Sequence, residues 1–265
     1  MKSRVVIAGA ITVDEILNKN QLIERPGGSP IYSGLGVATA GGLAGAYITI
    51  GEDFRFELPS YLTYVEKVSF SKTMRFTLII EDHRRKLILR FKNGPLIVEE
   101  EKFNKWDGVI LNPVCNEIPM STKFYKIPVA VDIQGFIRNC EEGREISYSK
   151  KFELEMNSDI SIFHANKEEL VQSDISVQRL MDKGFKEILI SDDFNGFTLY
   201  VKDGQSLKLR PSVKGNNEVG NGDFLLASYF TLRLNGEDPI SASKMALKLS
   251  DEFSILGLNV LPRLS

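Results

Sequence analysis

The densest set of residues able to do chemistry together is Asn216-Asn217-Glu218-Val219-Gly220-Asn221-Gly222-Asp223, directly before a strongly periodic helical stretch. Glycines at 220 and 222 let the backbone bend so that its N–H groups converge at a helix N-terminus, where the helix dipole favours an anion such as a phosphate. A carboxylate beside that anion is repelled by it unless it accepts a proton from a hydroxyl that attacks the phosphate. Asp223 is therefore a candidate general base, and the amides of Gly220, Asn221 and Gly222 a candidate anion hole. The structural alternative is an Asn-Gly turn followed by an acid that suits the first turn of a helix. Asn166-Lys167-Glu168-Glu169, at a strand end, has the spacing of an N-cap asparagine with a carboxylate at N3. Other chemistries are absent: there is no G-x-x-x-x-G-K-[ST], H-E-x-x-H, G-x-S-x-G or C-x-x-C. His83, in a turn, and His164, at a strand end, lie far apart and read as solvated or structural residues. Nucleophilic triads and metal hydrolases drop out on this reading.

These residues need elements to hold them. Residues 4–13 (RVVIAGAITV) are β-branched and almost continuously apolar, as in a strand buried on both faces of a parallel sheet. After Pro26-Gly27-Gly28, the small residues of SPIYSGLGVATAGGLAG suit a helix packed very close to a neighbour. Short apolar strands follow at residues 46–53, 108–114, 128–135, 158–166 and 187–193, each ending in polar residues or a turn. Between the last two, Leu170, Val171, Ile175, Leu180 and Met181 have helical spacing, with Gly184 as a stop. Residues 68–94 instead alternate apolar and polar and turn at Glu81-Asp82-His83, which predicts a small antiparallel flap acting as a lid. Two helices close the chain, from Gly222 and from about Pro239. The alternation of strands and helices predicts one α/β domain over residues 1–265 with a mostly parallel sheet.

Composition narrows the function further. With 33 basic and 35 acidic residues the net charge is −2, so no global field holds a nucleic acid or an anionic membrane. The 43% hydrophobic content supports a full core. Two cysteines, Cys115 and Cys140, exclude a disulfide framework and a four-cysteine zinc site, and point to a reducing cytoplasm. Asp14 and Glu15 interrupt the apolar run near the N-terminus before a signal sequence forms, and no window of roughly 18 apolar residues exists. The expectation is a soluble, cytoplasmic protein.

Gly220-Asn221-Gly222-Asp223 resembles the G-A-G-D signature of the ribokinase, or PfkB, family of sugar kinases. Other segments are similar in the family's order: residues 5–14 (VVIAGAITVD) to its first strand ending in an aspartate, and Gly27-Gly28-Ser29-Pro30 to its glycine pair. Gly51-Glu52-Asp53-Phe54 is similar to its G-x-D turn, and Asn166 to Glu169 to its N-x-x-E pattern. The resemblance runs from about residue 4 to about residue 256.

It implies a ribokinase-like three-layer α/β fold, a central sheet flanked by helices with a small β lid, and an ATP-dependent kinase acting on a sugar or polyol hydroxyl. It makes Asp223 the base and the amides of Gly220 to Asp223 the γ-phosphate site. Asn166 and Glu169 would organise Mg²⁺ through water. Asp14, Gly27, Gly28 and Ser29 would read acceptor hydroxyls, and Ser191 and Gly196 would meet the nucleotide in a T-x-G-x-x-G-like turn whose middle glycine is Asp193. Asn217-Glu218-Val219 replaces the usual D-T-T or D-P-T, which alters the neighbouring monovalent-cation loop and leaves potassium dependence open. Residues 131–138 (VDIQGFIR) resemble a stretch of the myo-inositol kinase branch, which adds Gln134 and Arg138 to the acceptor site and favours a cyclitol; Asp132 and Arg138 read equally well as a structural pair. Tyr32 and Phe136 would instead serve a nucleoside kinase of the same fold, and Asp193, Asn217 and Glu218 a catalytically weak sugar or nucleotide sensor. Phe76, Leu78 and Ile80 on the flap suggest a homodimer through the lid.

Overall fold

The computed structural model describes residues 2–18, 21–81, 84–148, 151–215 and 219–260; His83 and the Asn216 to Glu218 segment lie outside them. In chain order the elements are β1 (Arg4–Ala10), β2 (Thr12–Asn18), β3 (Gln21–Gly27), α1 (Ser29–Thr39), β4 (Leu43–Gly51), β5 (Leu62–Phe70), β6 (Met74–Glu81), β7 (Arg84–Phe91), β8 (Gly108–Leu111) and β9 (Val129–Asp132). They continue as α2 (Gln134–Ile137), β10 (Arg138–Asn139), β11 (Ser147–Tyr148), β12 (Ser161–Asn166), α3 (Lys167–Gln172), α4 (Val177–Asp182), β13 (Glu187–Ser191), β14 (Phe197–Val201), β15 (Ser206–Leu209), α5 (Asn221–Leu234) and α6 (Pro239–Leu256).

Nine strands form the central sheet in the order β15-β14-β13-β12-β9-β8-β1-β4-β5. From β5 to β13 every neighbour is parallel, and β14 and β15 add an antiparallel edge. The continuous apolar runs of the inner strands follow from burial on both faces. One face packs on α1, α5 and α6 through residues such as Ile7, Leu35, Phe224 and Phe253. The other carries Phe136, Phe152, Phe163, Leu180 and Phe185. This is the three-layer α/β arrangement that the alternation predicts. The expected close approach of α1 is real: a Cβ on Gly36 would lie 2.6 Å from the carbonyl oxygen of Phe224 on α5. Arg233 of α5 locks onto the sheet through Glu187 at 2.7 Å, and Glu187 also accepts the Tyr229 hydroxyl at 2.5 Å.

The small sheet differs from the sequence expectation. It has four strands in the order β3-β2-β6-β7, so the flap draws half its strands from residues 12–27, while residues 62–70 belong to the central sheet as β5. The first strand ends at Ala10, and Asp14 sits inside β2, hydrogen-bonded edge to edge with β6. The outer edge of β7 is covered, since Gly143 and Ile146 donate to Leu89 and Leu87. Phe76 is buried rather than outward-facing, and the side chain of Ile80 is outside the described set. The helix expected between β12 and β13 is two, α3 and α4, broken where Asp174 takes a positive φ of 52°.

Cys115 and Cys140 form a disulfide that ties the loop after β8 to the segment after β10. Cysteine usage therefore does not carry the inference of a reducing compartment drawn above. No helix among the described residues is long and apolar enough to cross a membrane.

Candidate active site

The C-terminal ends of β9, β12 and β13 meet the N-terminus of α5 around a cavity of about 500 Å³. Open parallel sheets place ligands at this edge. Gly220, the residue before α5, has φ 78°, and a Cβ there would strike the Tyr32 ring at 2.2 Å. Only glycine meets both demands, so the bend predicted from Gly220-Asn221-Gly222 is present and sets the first amides of α5 at the cavity wall. A somewhat larger cleft, about 650 Å³, lies around Lys186 and Tyr200 and is lined by none of the candidate site residues.

Asp223 lies in the first turn of α5 and is almost wholly buried. Its Oδ1 accepts the side-chain amide of Asn112 at 2.7 Å, and its backbone carbonyl accepts the Ser33 hydroxyl at 3.3 Å. Because a carboxylate only accepts, this bond fixes the Asn112 amide, whose Oδ1 is left buried without a partner. Burial foremost, then the charge of Asp132, raises Asp223 from 3.8 to about 7, against the pull of Asn112, His164 and Arg138. Glu169 is raised for the same two reasons. Sequence reasoning missed Asn112, whose one signal was a polar residue at the end of an apolar strand.

Asn166 and Glu169 form a complete capping box at the start of α3: Asn166 Oδ1 accepts the Glu169 amide at 2.7 Å, and Glu169 Oε2 accepts the Asn166 amide at 2.9 Å. Both still line the cavity, and Glu169 keeps a second oxygen. Among the described residues no group of three His, Cys, Asp or Glu side chains is placed to hold a metal unaided. A Mg²⁺ that keeps most of its waters needs no such group, and the two carboxyls are raised by burial first and by the nearby Asp132 charge second.

His164, read above as an isolated residue, is a correction. Its Nδ1 lies 2.7 Å from Asp132 Oδ2 and its Nε2 3.2 Å from Ser191 Oγ. Burial lowers the imidazole pKa, but the Asp132 charge and hydrogen bond, with Glu169 and Asp223, raise it more, and the result lies above 6.5. The pairing expected between Asp132 and Arg138 does not form; Arg138 donates to Gln134 Oε1 at 2.7 Å and to the Val114 carbonyl at 3.1 Å.

Among the residues expected to read an acceptor, Asp14 takes the Thr12 hydroxyl at 2.8 Å, and a Cβ on Gly27 would meet its carboxylate. Burial raises its pKa against Thr12, Arg25 and Arg138. Gly28 caps α1, and the Ser29 hydroxyl is committed to the Asn112 carbonyl. These four lie outside the main cavity, but the Tyr32 hydroxyl feels both Asp14 and Asp223, and Arg138 acts on Asp14, Glu169 and Asp223, so the two groups of residues adjoin. Phe136 is buried against Phe152 in the core and offers no base platform.

Of the residues expected to meet a nucleotide, Ser191 and Gly196 line the cavity, together with Asp193, Phe197, Pro211, Val213 and Leu247. Asp193 stands at φ 45°, a left-handed conformation that favours glycine, the residue expected at this position of the T-x-G-x-x-G-like turn. Ser250 Oγ, in the same part of the cavity, is buried without a partner.

Fold and site together define a ribokinase-like α/β protein in which the start of α5 and its buried first-turn carboxylate line one cavity. No protein-family model matches the sequence, and no curated protein matches it. Among solved structures, the chain is similar to a pyrophosphate-dependent kinase of the ribokinase family complexed with a pyrophosphate analog and myo-inositol (TM-score 0.74, 18% identity, 93% of each chain). It is also similar to Arabidopsis thaliana ribokinase complexed with ribose and ATP (TM-score 0.66, 16% identity, 98% of this chain and 94% of that one). A third is the Burkholderia thailandensis nucleoside kinase in complex with inosine (TM-score 0.67, 13% identity, 97% and 93%). The fold is that of the ribokinase-family kinases.

Proposed function

We propose that the protein is a kinase that transfers the γ-phosphoryl group of ATP to a hydroxyl of a sugar or polyol, a cyclitol such as myo-inositol being favoured. The observation that carries this reading is the buried Asp223 carboxylate in the first turn of α5, facing the cavity beside the helix-end amides. Asn112 occupies Oδ1, which leaves Oδ2 to take the proton of the attacking hydroxyl. The amides of Gly220 to Asp223 stabilise the charge spread over the transferring phosphoryl oxygens, and burial strengthens that interaction. Asp14, Gly27, Gly28, Gln134 and Arg138 would orient the acceptor. Asn166 and Glu169 would hold Mg²⁺ through its waters, and the ion, when bound, neutralises phosphate charge.

The apolar walls formed by Phe197, Pro211, Val213 and Leu247, with the unpartnered Ser250 hydroxyl, fit a purine nucleotide. A second reading, pyrophosphate as donor, is favoured by the ribokinase-family neighbour complexed with a pyrophosphate analog. The small sheet would act as a lid within one kinase domain, excluding water during transfer. Its free edge, β3, exposes Leu22 (59%) and Ile23 (55%) and would pair with a second copy; a strictly monomeric species in light scattering would dispose of that dimer.

The test is product release from ATP or pyrophosphate over a panel of myo-inositol, pentoses, hexoses and nucleosides. Turnover with one polyol is the expected result. Turnover only with nucleosides would replace the acceptor class, and none anywhere would favour a binding protein.

A further inference from the structure

A hydrogen-bonded chain that this transfer does not use runs along the cavity floor. Ser191 Oγ, beside Asp193 and Gly196, meets His164 Nε2 at 3.2 Å; His164 Nδ1 meets Asp132 Oδ2 at 2.7 Å. Asp132 Oδ1 accepts the Gln134 backbone N–H at 2.9 Å, and the side chain of the same residue, through Oε1, accepts Arg138 Nη2 at 2.7 Å. One ring thus joins the donor side of the cavity to its acceptor side. Its orientation is determined twice over. The Asp132 carboxylate accepts only, so Nδ1 carries the hydrogen and Nε2 faces Ser191. The ring also lies against the glycine bend, since a Cβ on Gly222 would come within 2.7 Å of His164 Cε1. Burying an imidazole and a carboxylate, each 3% exposed, is costlier than burying an apolar pair of equal size, so packing alone does not account for them.

We propose that His164, held by Asp132, is a positioning residue that sets the Ser191 hydroxyl against the phosphoryl group of the donor and keeps donor and acceptor subsites in register. With one hydrogen-bonding position of Ser191 Oγ spent on the ring, its others turn to the cavity. The inference rests on the kinase reading of that cavity.

Calorimetric titration of Mg-ATP and of pyrophosphate, which needs no turnover, tests the donor half, and steady-state rates with the acceptor test the other. Ser191→Ala weakens binding of the donor by about tenfold, the scale of one good hydrogen bond, at an unchanged melting temperature. His164→Asn, which still reaches Asp132 but stops short of Ser191, shows the same loss, and the double variant loses no more than either single one. His164→Gln, which reaches Ser191 but releases Asp132, keeps donor affinity and raises the KM of the acceptor. A merely structural histidine would lower the melting temperature and leave this pattern unseen. Unchanged donor affinity in Ser191→Ala, a variant at a partly exposed position that folds whatever the fate of the His164 changes, overturns the proposal, as do losses that multiply in the double variant. If the donor-affinity losses of Ser191→Ala and His164→Asn appear in a protein that phosphorylates no polyol, the kinase reading falls and only the positioning of Ser191 against the donor stands; polyol phosphorylation with unaltered donor binding by Ser191→Ala overturns this inference and leaves the kinase reading intact. A wild-type protein that binds neither donor overturns both.

Discussion

Replacing Asp223 by asparagine should move catalysis and stability in opposite directions. Burial and the Asp132 charge carry this carboxyl from 3.8 to about 7. Between those values the folded protein holds a proton that the unfolded chain has released, so its contribution to stability falls as pH rises through that window. Above about pH 7 the folded state bears the full cost of a buried ionised group, ~4 kcal/mol at about 1.4 kcal/mol for each tenfold change in proton affinity. Asparagine has no ionisation to suppress, and its amide can donate to the unpartnered Asn112 Oδ1. Asp223→Asn should therefore be near neutral at pH 4 and below, stabilising by roughly 1.5 kcal/mol at pH 5 and by up to ~4 kcal/mol at pH 8, the last roughly 8 °C in melting temperature for a chain of this size. Turnover should fall at least about a hundredfold, the scale of losing a general base. Melts at pH 5 and pH 8, together with steady-state rates, check the two halves. Equal stability changes at pH 5 and pH 8 would refute the buried-carboxylate argument, and near-normal turnover would remove Asp223 from the mechanism.

Asn112→Ala removes the hydrogen bond that holds Asp223 Oδ1 and lowers its pKa; kcat should drop about tenfold and the acidic limb of the pH–rate profile should move to higher pH. A limb that stays in place would separate Asn112 from the base. Arg233→Leu leaves the buried Glu187 with only the Tyr229 hydroxyl and should cost about 3 to 5 kcal/mol in urea unfolding, whereas a loss near zero would show that the pair is solvated. Asp193→Gly removes an acid held at positive φ on the donor side and should lower the donor KM several-fold without loss of stability; an unchanged KM would place Asp193 away from the phosphates.

The glycine bend, Asp223 and most inner strands were legible because each is a local signal: a turn chemistry, a helix start, an apolar run. The capping box of Asn166 and Glu169 was legible for the same reason, its two partners lying three residues apart. What escaped notice depends on contacts between distant segments. Asn112 meets Asp223 across 111 positions, and Asp132, His164 and Ser191 come together only because β9, β12 and β13 lie side by side. Thr12 and Val13 read as the tail of the first strand because their β-branched character is the same in either sheet, and only the parallel pairing with β6 shows that Asp14 belongs to the small one. The break between α3 and α4 hides in an apolar spacing that continues across it, and the Cys115–Cys140 bond joins two loops whose proximity no spacing encodes.

The most direct measurement is phosphorus NMR of the purified protein with Mg-ATP and myo-inositol, repeated with other polyols and with pyrophosphate as donor. A phosphate monoester of one polyol should accumulate in step with the spent donor, and should be almost absent with Asp223→Asn. Donor breakdown without an ester, or ester formed as fast by the variant, would contradict the assignment of the Asp223 cavity to phosphoryl transfer.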